Sequence, residues 1–555
     1  MRFMLVMIVL AASISLSANA NAGRLAPLNP AYEEYLATPA LQRAAIYGCY
    51  IPEHNVVTID NRDLPDINRI LPEVYDLRQM NALTPIRDQG YTSACWCFSS
   101  IGALESRMMI TGMGAHDLSE NNMYYGHGYI GLHTGGNRYM SSTYLMRGAG
   151  PVPESLDPFQ FDQGQYHPDI TPVAYVPGAV WMPQGLSTEV IKQTIIDYGA
   201  LDAAMNFSDG FFDNSNNSYY YPGYAGASIN HLVNIVGWDD NYSTAGGRGA
   251  WIVRNCWGTE WGEAGYFYVS YNDYFIARFP AYWPKIEPYN SQTRILQYDD
   301  VGYIGDWGFG SNTAHAIIKY DIPAGYMLNR IGSYTTFQPS SVSYGIYSSF
   351  DGVSPSGLLT QTSSDTHPYY GFYVKELSNP LYFPTATSVY VLARFVTPGY
   401  GYPLAVEYAQ AGTASPNISS RVAWISQYGT DGTWTAVGAN TNSPIDLCTK
   451  LYISPASAVT DELQAPQLFS TFPNPAKERL TISLNLKSSS PVEISIYNQK
   501  GQLVYNKAYS SIASGTQLLD IPVTDSLGKR LGNGIYLCRI SSAEGKQTKK
   551  ITILH

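Results

Sequence analysis

The stretch RDQGYTSACWCFSS, Arg87 to Ser100, limits this chain more than any other. It sets Cys95 and Cys97 one residue apart where a loop enters a helix. From Cys95, apolar residues fall at Trp96, Ile101, Leu104 and Met108, near the helical period, and Gly112 marks the stop. On a helix, residues i and i+2 point about 200° apart. The two thiols therefore cannot share one cleft, nor close an unstrained disulfide. Zinc needs about four ligands, and no Cys/His pair follows at finger spacing. One nucleophile with a bystander remains. A thiol at a helix N-terminus is acidified by unpaired N–H groups. It still needs a base, and the base an orienter.

Of the 9 histidines, His231 stands apart. It heads a β-like apolar run in SINHLVNIVGWDDN. Downstream, GAWIVRNCWGTEWGEAGYFYVS delivers Asn255 from an apolar strand, followed at once by Cys256, Trp257 and Gly258.

The blocks QGYTSACWCFS, INHLVNIVGW and IVRNCWGTEWGEAGYFYV, in this order, resemble the signature blocks of papain-like cysteine proteases. LPEVYDLRQMNALTPIRDQG resembles that family's mature N-terminus. LSENNMYY (Leu118 to Tyr125) and TGGNRY (Thr134 to Tyr139) resemble two further landmarks. The separations of His231 and Asn255 from Cys95 are close to the family's roughly 130–150 residues. The resemblance implies an α+β, two-lobed fold with a helical lobe carrying Cys95 and a β lobe carrying His231 and Asn255. It implies Cys95 as nucleophile, His231 as its base and later acid, Asn255 as the orienter of His231, and Gln89 as an oxyanion donor. Trp257 should cover the His–Asn bond. Gly136 should offer its backbone to an extended polypeptide substrate. Arg138 should stand beside the pocket for the side chain two residues before the scissile bond, with Ile229 and Leu232 on its other wall and Ala204 at its base. No cofactor or metal is implied. Thr92-Ser93-Ala94 stand where the family has Cys-Gly-Ser, and no cysteine occurs between Cys97 and Cys256, so the family's usual disulfides in this domain cannot form. Cys97 and Cys256 are expected to be small buried side chains.

At 555 residues the chain exceeds one ordinary core. Residues 1–22 read as a signal peptide: one Arg, an apolar run from Phe3 to Ala12, then small-x-small cleavage sites. The net charge of −11 argues against a nucleic-acid partner. Residues 23–70 are a polar lead-in with few periodic signals, placed where the family carries an inhibitory propeptide. Its Cys49 is read as an idle thiol, with masking of Cys95 as the alternative. The peptidase domain is expected over 71–290.

Residues 291–456 are strand-like throughout and resemble the lectin-like β-sandwich that follows papain-like domains in some exported bacterial proteins. Its Trp307, Phe309 and tyrosines suit a carbohydrate or protein ligand, or packing against the protease. A linker is expected over 457–467. Residues 461–555 hold 11 of the 33 Lys and Arg but only 7 of the 44 Asp and Glu, a change of charge that supports a boundary there. The segments FPNPAKERLTISL, ISIYNQKGQLVY, GNGIYLCRIS and KKITIL resemble the C-terminal sorting domain of Bacteroidetes type IX secretion substrates, expected over 468–555 as an Ig-like sandwich. The implied route crosses the inner membrane by the signal peptide, then the outer membrane, ending secreted or surface-attached. The implied activity is peptide-bond hydrolysis. The alternative is a surface binding or adhesion protein that uses the protease-like domain as scaffold.

Overall fold

The computed structural model describes residues 23–55, 71–129, 135–161, 164–224, 227–456, 469–472, 476–486, 488–498, 502–526, 528–543 and 545–554. The signal peptide, residues 56–70 of the lead-in, Thr134 and the linker lie outside the described residues. The chain divides after Ala456 into two compact units.

In the first unit, the helix Cys95–Ile110 is buried at nearly every position. It is therefore a central helix, packed on all sides, and its polar residues need internal partners. Ser99 and Ser100 donate to the Asp202 carboxylate at 2.7 and 2.8 Å. The helical lobe adds Glu120–Gly126, capped by the Ser119 hydroxyl, and Arg138–Met146, capped by the Asn137 side chain. The β lobe is antiparallel around the strand His231–Thr244. Leu201–Met205 pairs on one side, with Met205 opposite His231. Gly247–Arg254 pairs on the other, with Arg254 opposite Asn234. That register brings the strand end carrying Asn255 back beside His231.

The sandwich expected after the peptidase domain is present. Its sheets enclose a second apolar core that includes Ile318, Leu328, Ile331, Val389 and Val391. One of those sheets continues into the β lobe: Tyr370, Gly371 and Phe372 pair with Trp181, Val180 and Ala179. Gly371 has φ +155°, and a Cβ there would lie 2.0 Å from the Ala179 carbonyl oxygen, so the junction requires glycine. The domain border expected near residue 290 is a sheet junction rather than a gap in packing.

The lead-in departs from its polar, non-periodic reading. It forms helices Pro30–Ala37 and Ala40–Tyr47, with Tyr32, Tyr35 and Tyr47 buried. Asn29 before Pro30 was the readable start signal, and its side chain accepts from Ala31 N–H at 3.1 Å. The lead-in also grips the sandwich. Arg24–Leu25 adds an antiparallel strand to Gly305–Gly308, and Tyr32 hydroxyl bonds the Thr413 hydroxyl at 2.9 Å. Trp307 lies in that paired strand, opposite Leu25, and is buried in the sandwich core. It is not an open stacking platform in this form.

The second unit, described by itself, holds two antiparallel sheets around one core. Ser490–Tyr497 and Leu503–Ile512 form the expected hairpin. Gly534–Ser542 and Gly545–Ile553, the two expected terminal strands, pair with each other.

Candidate active site

Cys95 is the first residue of its helix and fully buried, with its thiol at the Leu232 backbone N–H, one residue from His231. His231 Nε2 lies 2.8 Å from Asn255 Oδ1. With Asn255 accepting, the ring carries its proton on Nε2 and leaves Nδ1 for chemistry. Trp257 stacks on the His231 ring at 4.6 Å between centroids and 23° between planes. Asn255 Oδ1 also accepts from Cys256 N–H at 2.9 Å, which fixes the amide.

Gln89 is held from three sides. Its N–H donates to Cys256 O at 2.8 Å, its Nε2 to Thr92 O at 2.5 Å, and its Oε1 accepts from Cys256 Sγ at 2.9 Å. The Cys256 thiol therefore fixes which way the amide faces, turning Nε2 toward the loop before Cys95. The sequence reading gave Cys256 only a packing role. Cys256→Ala is expected to lower kcat roughly tenfold with little change in KM, because a misoriented oxyanion donor acts in the transition state. Cys256→Ser should restore most of it. Equal kcat for parent and alanine variant would remove the positioning role.

The cleft is occupied by the lead-in. Ile51 N–H donates to Gly136 O at 3.1 Å and Gly136 N–H to Cys49 O at 3.0 Å, a parallel bridge centred on Tyr50. Neither glycine of the pair tolerates a side chain. A Cβ on Gly135 (φ +142°) would meet Cys49 O at 2.6 Å, and one on Gly136 the Trp96 ring at 2.4 Å. Cys49 N–H donates to Asn230 O at 3.0 Å, next to His231, and Gln89 Nε2 lies 3.9 Å from Cys49 Sγ. Burial under this cover pushes the Cys95 thiol well up and His231 down to about 4, the latter partly opposed by Asn255. In the covered cleft both groups are neutral.

The expected pocket residues divide. Leu232 and Ala204 are buried partners across the ladder, and Ile229 is buried two residues before His231. Arg138 lies elsewhere, and its placement at the pocket rim is corrected. Its guanidinium is 4% exposed, pairs with Glu53 at 2.7 Å, and donates to Phe279 O at 2.9 Å and Tyr370 hydroxyl at 2.8 Å. It joins lead-in, peptidase and sandwich, and a buried guanidinium goes where carboxylate and carbonyl acceptors converge. Arg138→Met is expected to destabilise the first unit by about 3–5 kcal/mol, since Glu53 is left uncompensated. Urea denaturation measures this, and a peptide-library profile should be unchanged.

A central helix beginning at Cys95, packed against a sheet that carries His231 and Asn255, is the two-lobed papain-like fold. The comparisons agree: residues 71–282 match the papain family cysteine protease model, 295–453 the lectin like domain, and 470–554 the secretion system C-terminal sorting domain. A cysteine protease of Blomia tropicalis is 32% identical over 222 residues, 38% of this chain and 66% of that protein. Cathepsin K of Gallus gallus is 30% identical over 215 residues, 38% and 62% respectively. The chain thus spans less than two thirds of these relatives. The cysteine protease and lectin-like domains of Cwp84, a surface layer associated protein of Clostridium difficile, superpose with TM-score 0.65 at 21% identity, over 78% of this chain and 98% of that one. That likeness extends the shared fold across peptidase domain and sandwich together.

Proposed function

We propose that the chain is a secreted cysteine peptidase held inactive by its own lead-in. The observation that carries this is the His231–Asn255 bond at 2.8 Å beneath Trp257, set beside Cys95 at a helix start. Once the cleft is rehydrated, Cys95 passes its proton to His231, giving a thiolate–imidazolium pair. The thiolate attacks the scissile carbonyl carbon. Gln89 Nε2 and the Cys95 N–H donate to the oxyanion. His231 then protonates the leaving amine, and water releases the acyl group with His231 as base. Gly136, whose N–H and C=O now bind the lead-in backbone, pairs with substrate, and Ile229, Leu232 and Ala204 favour an apolar side chain.

The test is labelling by an epoxysuccinyl thiol inhibitor after removal of the lead-in, with peptide mapping. Label on Cys95 and parallel loss of peptide hydrolysis are expected. A labelled chain that never cleaved peptides would favour a scaffold for surface binding. Polypeptides are the proposed substrates, and the sandwich is the proposed site for a carbohydrate or protein ligand. The tail serves the secretion machinery after signal-peptide export. It is a separate compact unit. Deleting residues 457–555 should therefore leave kcat/KM of the purified protein within about twofold, while trapping the protein in the periplasm of its host. Normal surface delivery of the truncated chain would refute the sorting role.

A further inference from the structure

The lead-in brings a second thiol to the nucleophile. Cys49 is pinned on both sides by backbone bonds, its N–H to Asn230 O at 3.0 Å and its carbonyl from Gly136 N–H at 3.0 Å. Its side chain faces the oxyanion donors, with Gln89 Nε2 at 3.9 Å, and the nearby Cys95 thiol acts most strongly on its proton. A thiol thus stands where the oxyanion of a substrate would form. The other cysteines are placed differently. Cys97 is two helical positions from Cys95, Cys256 bonds Gln89, Cys448 is buried in the larger core that also holds Cys95, and Cys538 lies in the tail core. All six are free thiols here.

We propose that Cys49 and Cys95 form a redox latch, a disulfide that covalently caps the nucleophile of the intact chain until a thiol reduces it. The consequence for activity rests on the peptidase reading, but the disulfide itself does not. The cap differs from simple occlusion, because a non-covalent lead-in leaves by dissociation alone, whereas a disulfide adds a requirement for reductant.

The oxidant is a low-molecular-weight disulfide, RSSR. The Cys49 thiolate attacks one sulfur, the RS–SR bond breaks, one RS⁻ leaves, and Cys49 carries a mixed disulfide. Cys95 gives its proton to His231 and attacks the Cys49 sulfur, expelling the second RS⁻, which is protonated. Two protein thiols are oxidised by two electrons in all, and RSSR is reduced to two RSH. Contact with Cys95 holds the Cys49 thiol down to about 7, so much of it is thiolate near neutral pH, as the first step needs. Bond formation brings two neighbouring sulfurs to the ordinary S–S length of about 2.05 Å.

The test uses the full chain and glutathione disulfide. After treatment, alkylation and digestion without reductant, the Cys49 and Cys95 peptides should be found joined and should separate on adding dithiothreitol. Epoxysuccinyl labelling of Cys95 should fall at least about tenfold on oxidation and recover on reduction. Cys49→Ala should give no joined peptide and should lose this protection from reversible capping. Cys49→Ser, which keeps a hydroxyl in the same place, should behave the same way and guards against a folding defect in the alanine variant. Glutathione on Cys95 with Cys49 free, or both thiols unmodified, would overturn the latch. A joined peptide in a chain that hydrolyses nothing after reduction would leave the latch standing and remove the peptidase reading.

Discussion

Cys95→Ala should abolish peptide hydrolysis, with kcat falling at least about 10⁴-fold, while Cys97→Ala should keep most of the activity. The two residues differ by two positions on one helix, yet they point to opposite sides. Cys95 starts the helix at the Leu232 N–H and the Cys49 thiol. Cys97 is fully buried, and Glu120 and Asp202 are among the charges that act on it. Removing Cys97 costs packing, and removing Cys95 removes the reacting atom. The partners of Cys95 grade in the same way. His231→Ala should leave almost nothing, because the proton has no other acceptor. Asn255→Ala should leave a measurable residual rate, because Trp257 still stacks on the ring. Steady-state kinetics on a fluorogenic peptide, after lead-in removal, checks the series. A Cys97→Ala variant as inactive as Cys95→Ala, or equal small losses at His231 and Asn255, would sink the assignment.

This constellation is legible in the sequence because each candidate catalytic residue sits in a locally recognisable context. Cys95 stands at a loop-to-helix change, His231 at the head of an apolar run, and Asn255 at the end of another. The residues that escaped are those whose partners are distant. Arg138 follows a helix cap and looks like a loop arginine; only the fold brings Glu53 and Tyr370 to it. Cys256 bonds Gln89 across 167 positions of chain. The sheet that passes from Ala179–Trp181 into Tyr370–Phe383 was invisible for the same reason, since pairing register between remote strands leaves no local period. The lead-in failed differently. Its helices Pro30–Ala37 and Ala40–Tyr47 span 8 residues each and gain their stability from burying tyrosines against neighbours. A helix that short has little propensity signal of its own.

Once the lead-in has left, Cys95 labelling should be about 100-fold faster than in the reduced intact chain, because the cleft is then always open instead of rarely so. The advantage should also shrink as the medium is acidified. In the covered state Cys49 is held down to about 7, the Cys95 thiol being the main cause. A free thiol titrates near 8.5, so the covered state gains from ionised Cys49 at high pH and loses that gain as pH falls through 7. His231 is pushed down to about 4 by burial, against about 6.5 for an exposed imidazole. On opening, however, Cys95 passes its proton to His231, so this pair holds one proton in both states and adds no pH dependence between these values. Cys49 therefore sets the sign, and acid loosens the lead-in. The measurement compares two forms in dithiothreitol, so that no disulfide contributes. One is the intact chain, and the other carries a site-specific protease sequence inserted between Asn55 and Leu71 and has been cut there. The ratio of their labelling rates should fall between about pH 8.5 and pH 7 and level off below that. A ratio independent of pH would mean that Cys49 does not couple its proton to the seating of the lead-in.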